Sequence, residues 1–368
     1  MNICVIATAS RESGALSIYL QFLNTLKEQG SNDRYYIFVD ECMPQPLIEG
    51  VTYITYDTRG FKRITFDFIG FKKTIKKLHI TPDRIVSFQN TAVYYPGVQQ
   101  MIYFHNLLPL SKKRWNPFDS KEKTLFFYTS LYPYYIRCLL RKDMNIVVQA
   151  DFIKDMFADK YGHPKDKIHV FRPNTIIEPK QENESVKFPI EYENKYNFIY
   201  PAISMPYKRH ELLVDCLKTI KDIAPDTFAD IRIHLTIGKE DAPSLYHSIM
   251  DNGMKQQFVF HGKIPYEELC GYYQHSHALL FPSEMETVGL PLLEAASYGQ
   301  PIAVTDMPYS HEALGNYSGA SFMNKLCDWT SFITQTCKNK QRFKPLTHTN
   351  GDNSWKLFLA TISSPQFT

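Results

Sequence analysis

Glu286 and Glu294 flank a turn, Thr287-Val288-Gly289-Leu290-Pro291, whose residue types suit an anion. An apolar run ends at Phe281, and a helical pattern opens near Leu290 with Pro291 fitted to its first turn. Gly289 lets a ligand come close to the backbone. The free amides that follow, with the positive end of the helix dipole, form the kind of site a diphosphate needs. Glu294 lies about one turn (~3.6 residues) inside that helix. Its carboxylate can there accept hydrogen bonds from ribose hydroxyls, while Glu286, ahead of the turn, can reach a sugar. An isolated pair of this spacing would equally suit a capped helix with two solvated glutamates.

Lys208 closes the turn after the first strand pattern of the second half and is expected to point at the same region. Arg209, beside it on a helix expected over 208–223, is expected to face elsewhere. His105 ends the apolar run 101–105, where a lone histidine is as readily a satisfied core group. Gly14 follows the first strand pattern but belongs to no G-x-G-x-x-G fingerprint, so a nicotinamide role has little support. Gly262-Lys263-Ile264 follows another strand end.

These residues need elements to hold them. Residues 2–7 form a continuous apolar run, as in a strand covered on both faces. Leu16, Tyr19, Leu20, Leu23 and Leu26 then recur at helical spacing up to Gly30. Strand patterns at 35–39, 51–56, 84–88, 101–105 and 145–149 alternate with helical ones at 66–78 and 152–161. Near residue 174 the pattern stops, and 178–195 is polar and proline-bearing. Alternation restarts with strands at 197–201, 231–237, 257–262, 278–281 and 301–305 and helices at 208–223, 266–276 and 290–298. The reading is α/β throughout: domains at 1–175 and 196–345, a linker at 176–195, and a segment 346–368 that packs back on the first domain. Open parallel sheets take ligands beyond the carboxyl ends of their strands, so a cleft between the two domains is expected.

The run from Glu286 to Glu294 resembles the E-x7-E signature of the retaining glycosyltransferases of group 1 (family 4), in which the first Glu precedes a hydrophobe, Gly-Leu-Pro and Leu-Leu-Glu. Gly299-Gln300-Pro301-Ile302-Ala303-Val304 and Thr305-Asp306-Met307-Pro308 with Glu312 also look like that family. The resemblance is dense from about 196 to 316 and patchier before. It implies a GT-B fold, two Rossmann-like domains facing a cleft, and retention by front-face displacement without a covalent enzyme intermediate. It implies that Glu286 and His105 position the donor sugar and that Lys208 neutralises the leaving diphosphate. Thr287, Val288, Gly289 and Leu290 then form the phosphate turn, with Gly14 near the diphosphate or acceptor and Ile264 by the base. The family also has an Arg about five residues before the Lys, where this chain has Ile203 and Ser204; Arg209 is the candidate replacement. No D-x-D metal motif appears, so no cofactor is expected. Many members build polysaccharides on polyprenyl-diphosphate carriers, which implies a nucleotide-sugar donor and a glycan or lipid-linked acceptor.

Composition sets the outer bounds. At 368 residues the chain suits two domains, and no run approaches the ~20 apolar residues of a spanning helix. Seven scattered cysteines without a C-x-x-C pair suggest neither a disulfide framework nor a zinc cage. The first residues read as a buried strand rather than a leader, which points to the cytoplasm. Residues 1–175 carry 24 Lys/Arg against 16 Asp/Glu; the remainder carries 17 against 22. A basic half suggests an anionic partner. Two basic, aromatic segments stand out, 59–77 and 112–142. They read as a docking face for an anionic membrane or as core aromatics beneath a solvated lysine face. Nucleic acid is not expected, since no binding motif appears. Two other functions fit the same fold: a sugar-nucleotide epimerase, and an inactive scaffold subunit suggested by the missing Arg.

Overall fold

A computed structural model describes residues 1–11, 13–172, 188–346 and 354–364. Much of the expected linker (176–187) and parts of the C-terminal segment (347–353 and 365–368) lie outside the described residues. The chain divides into two compact units, Met1–Asn174 with Thr349–Thr368, and Thr175–His348.

The first unit is built on a seven-stranded sheet in the order β3-β2-β1-β4-β5-β6-β7. The strands are β1 (Asn2–Ile6), β2 (Arg34–Val39), β3 (Val51–Thr55), β4 (Arg84–Ser87), β5 (Gln99–Phe104), β6 (Asn145–Val148) and β7 (Ile168–Val170). Every pairing is parallel. Side chains alternate across a strand, and here both faces are dry. Ile3 and Val5 join one buried cluster with Phe22, Phe88 and Tyr103, whereas Cys4 and Ile6 join another with Phe38, Phe66 and Phe71. That explains why the sequence shows unbroken apolar runs instead of alternation.

The C-terminal helix Ser354–Ser363 belongs to the first of these clusters, through Trp355, Phe358, Leu359 and Ile362. Trp355 stacks on Tyr103 at 5.7 Å and its Nε1 donates to Gln21 Oε1 at 2.7 Å.

Two helices of this unit are interrupted. Lys62–Thr65 passes through a π turn, Phe66–Gly70, into Phe71–Lys77. Lys123–Phe126 passes through another, Phe127–Leu131, into Tyr132–Leu139. The second lies where the sequence showed only a basic aromatic segment.

The second unit holds a six-stranded parallel sheet, β10-β9-β8-β11-β12-β13. Its strands are β8 (Tyr196–Tyr200), β9 (Ile231–Leu235), β10 (Phe258–Phe260), β11 (Ala278–Phe281), β12 (Ile302–Thr305) and β13 (Ala320–Met323). In both sheets the chain starts in the middle, builds outward to one edge, returns, and builds to the other. The reversal falls between β1 and β4 in the first sheet and between β8 and β11 in the second. Beyond the carboxyl ends of such strand pairs the connections diverge and leave room for a ligand.

Candidate functional site

The loops that diverge at the second reversal carry Lys208, Arg209 and the turn from Glu286 to Leu290. After β8 the chain makes a short 3-10 turn, Pro206–Lys208, and only then enters the helix His210–Ile223. Arg209 between them is left-handed, with φ 52°. That conformation is costly for a residue with a Cβ and persists where its surroundings hold it. It also corrects the expected helix start: Lys208 and Arg209 are not helical neighbours facing apart. Both reach the loop after β11.

Lys208 Nζ pairs with Glu286 Oε1, and Arg209 Nε lies 3.4 Å from Glu284 Oε1. The Lys208 and Glu286 side chains are only 11% and 17% exposed, so water screens the pair weakly. Nζ also sits over the rings of Tyr207 and Phe281, at 5.6 and 5.7 Å. The backbone ties the two loops together: Glu284 N donates to Tyr207 O at 2.8 Å, and the buried Tyr200 hydroxyl donates to Lys208 O at 2.6 Å. The Tyr309 hydroxyl donates to Ser283 O at 2.6 Å and fixes the start of the β11 loop.

That loop ends at Gly289, the residue ahead of the helix Leu290–Ser297, with φ 71° and ψ 50°. A Cβ there would sit 3.1 Å from Leu292 Cδ1, on top of the strain any side chain meets at this φ. Glycine lets the chain turn into the helix within one residue. Thr287 and Val288 are half-buried and Leu290 is 43% exposed, while Gly289 between them is buried.

Glu294 lies one turn inside. It accepts a 2.7 Å hydrogen bond from the Tyr273 hydroxyl, and burial pushes its carboxyl above the usual glutamate range. Ile264, half-buried, lies two residues past Gly262 (φ 69°), in the loop between β10 and the helix Tyr266–His275 that carries Tyr273.

Two candidates belong to the first unit. Gly14 is not in a loop: it is the second residue of the helix Ser13–Gln29, and a Cβ on it would meet nothing within 4 Å. His105 follows β5, and its Nδ1 is buried without a hydrogen-bond partner among the described residues. Desolvation, with the nearby Arg63 charge, lowers its pKa to about 4, so the ring is neutral at pH 7.

Sequence reasoning missed Glu284, Tyr273 and Tyr309, which hold or face the selected residues. Glu284 carried one signal, its place two residues before Glu286. Among the described residues, no group of three or more His, Cys, Asp or Glu side chains could hold a metal ion. No described helix is long and apolar enough to cross a membrane.

The arrangement in the second unit is an amine, a guanidinium, three acidic groups and a glycine-opened helix start. Residues 181–334 match the family of glycosyl transferases group 1. The group 1 stretch contains Lys208, Arg209, the Glu286–Glu294 turn, Ile264 and Tyr273. A relative, the O-antigen chain mannosyltransferase RfbU of Salmonella typhimurium, is 27% identical over 195 residues, 52% of this chain and 50% of that one. The match spans about half the length of the curated relatives.

Solved structures agree on architecture over nearly the whole chain. WaaG, a glycosyltransferase involved in lipopolysaccharide biosynthesis, aligns with a TM-score of 0.65 and 15% identity, over 92% of this chain and 90% of that one. Anabaena Alr3699/HepE, solved with UDP and glucose, gives 0.64 at 12% identity, over 97% and 94%. At such identities the likeness shows the fold: two parallel-sheet α/β domains of the GT-B type.

Proposed function

We propose that the protein is a retaining glycosyltransferase that moves a sugar from a nucleotide-diphosphate donor to a lipid-linked glycan in O-antigen or capsule biosynthesis. The pairing of Lys208 with Glu286, at the loop that Gly289 turns into a helix, carries the reading. An amine held in a weakly screened site, beside the start of a helix, suits a diphosphate that gains charge as it leaves. The match to group 1 and to the O-antigen mannosyltransferase supports the chemistry and its setting. The structure solved with UDP and glucose supports a donor of the same class.

In the step proposed, the bond from the sugar's anomeric carbon to the diphosphate breaks. The acceptor hydroxyl bonds to that carbon on the same face, and its proton passes to the departing phosphate oxygen. Lys208 meets the charge that develops, after exchanging Glu286 for the diphosphate. Glu286, so released, is placed to hold the sugar, and Glu294 the ribose. Charge neutralisation falls to Lys208 and the helix amides instead of a metal ion. The site of action proposed is the cytoplasmic face of a membrane, with the protein bound peripherally.

The test is transfer from UDP-, GDP- and dTDP-sugars to a polyprenyl-linked acceptor, with the product's anomeric configuration read by proton NMR. Retention with one donor class, undiminished by EDTA, is the expected result. Inversion, absolute dependence on an added metal, or absence of nucleotide binding would overturn the reading.

A further inference from the structure

The first unit has a cavity of about 550 Å³ at its own sheet reversal, within the size range of small-molecule sites. Ala9 and Arg11 after β1, Gln89 and Asn90 after β4, and His105 and Asn106 after β5 line its floor. The two π-interrupted helices supply the walls, and π turns inside helices occur disproportionately at functional sites.

The floor is polar and cationic. Arg11 Nε lies 2.9 Å from Asp40 Oδ2 and Arg59 Nη2 3.2 Å from Asp40 Oδ1, so two guanidiniums share one carboxylate. Arg63 Nη2 donates to Gln89 O, to Thr91 Oγ1 at 3.0 Å and to the Tyr132 hydroxyl at 3.1 Å. Its Nε is buried without a hydrogen bond among the described residues. Asp67, 3.8 Å from that Nε, is already held by the Tyr135 and Thr91 hydroxyls and the Gln89 amide. Arg59 Nε also lies 4.0 Å from Asp57 Oδ1, and Asp57 pairs with Lys62, so four cationic side chains share three carboxylates and one positive charge is in excess. The neutral His105 ring adds an Nδ1 without a hydrogen-bond partner among the described residues.

The rim is of the opposite character. Phe61, Ile64, Phe127 and Leu131 all line the cavity, yet they are 86%, 40%, 45% and 52% exposed. Phe61 and Ile64 lie at the start of the first interrupted helix, and Phe127 and Leu131 in the π turn of the second. Apolar side chains gathered in this way mark a surface with an apolar partner.

We infer that this cavity binds one anionic amphiphile, with its phosphate or diphosphate head on Arg11, Arg59 and Arg63 and its hydrocarbon chain across Phe61, Ile64, Phe127 and Leu131. A free anion would leave the rim unused, and a flat bilayer would leave the enclosed floor unused. A single lipid phosphate uses both. That the amphiphile is the carrier of the acceptor glycan rests on the transferase reading; the binding itself does not.

The test titrates the full chain calorimetrically with farnesyl diphosphate, pyrophosphate and farnesol, and separately with nucleotide diphosphates. Farnesyl diphosphate is expected to bind at least tenfold more tightly than either fragment. The double variant Phe61→Ser, Leu131→Ser should lower its affinity to that of pyrophosphate without changing pyrophosphate binding, and Arg59→Gln should weaken both. All three side chains are exposed, and melting within a few degrees of the parent shows that the variants fold. Equal affinity for farnesyl diphosphate and pyrophosphate would overturn the inference. So would farnesol binding as tightly as farnesyl diphosphate, or binding only to vesicles of anionic lipid. Nucleotide binding without farnesyl diphosphate binding defeats this inference alone. Farnesyl diphosphate binding without nucleotide binding defeats only the transferase reading.

Discussion

At the scale of single residues, Lys208 and Glu294 are assigned different parts of one event, and their variants should separate them. In the proposed reaction Lys208 opposes charge that appears only as the diphosphate leaves. Lys208→Ala is therefore expected to lower kcat about 10²–10³-fold, with a small change in KM. In the same proposal Glu294 meets the ribose before and during reaction alike. Glu294→Ala should weaken nucleotide binding about ten- to hundredfold, the worth of a hydrogen bond to a charged group, with kcat less affected. Steady-state kinetics with the preferred donor check both. The same effect on kcat and KM in the two variants would remove the division of roles. Arg209 belongs here as well: its left-handed backbone, absent from any spacing rule, brings its guanidinium to Glu284 and the loop that Lys208 also reaches.

At the scale of elements, two structures depend on residues that look incidental in the sequence. The first is the turn at Gly289. Gly289→Ala must hold a Cβ at φ 71° against Leu292, so the helix start should shift at a cost of about 1–3 kcal/mol. Nucleotide affinity should fall with it, measured by calorimetry beside the urea midpoint. The second is the C-terminal helix. Trp355 is 3% exposed among Phe22, Tyr103 and Phe358, and Trp355→Ala should cost about 3–5 kcal/mol, read as a lower urea midpoint for the first unit.

The central strands of both sheets were legible because burial on two faces produces apolar runs. Strands β7 and β13 were not, since His169 and Ser321 interrupt their short apolar stretches, whereas the equally short β10 is the unbroken Phe258-Val259-Phe260. Gly289, Lys208, Glu286 and Glu294 could be singled out as candidates from type and spacing, and the fold pairs Lys208 with Glu286. The Tyr273–Glu294 hydrogen bond and the Arg209–Glu284 pair join separate segments, which only the fold brings together. The two basic aromatic stretches were legible as unusual but not as partners. The structure divides each into buried residues such as Phe66 and Tyr132 and exposed ones such as Phe61 and Phe127.

At the scale of the molecule, the buried histidines set how stability responds to acid. Desolvation lowers the pKa of His105, His210 and His277 to about 4 and of His234 to about 3. An unfolded histidine titrates near ~6.5. Between those values the unfolded chain binds protons that the folded chain refuses, so stability is full above the unfolded value and declines as pH falls. Asp67 and Glu294, raised by burial, act with the opposite sign, since the folded state takes up their protons first. They are two carboxyl groups against four strongly lowered histidines, and His163, His169, His261 and His275 are lowered as well. Carboxylates whose pKa is held low in the fold, such as Asp40 and Asp143, matter only near and below the unfolded carboxylate range of ~4. From pH 6.5 to 5 the histidines should therefore dominate, and the urea midpoint should fall steadily across that interval. His105→Gln removes one of these protonations, so its midpoint should decline less steeply with pH than the parent's. A midpoint that stays flat or rises as the pH drops to 5 would show that these rings remain accessible to protons in the folded chain.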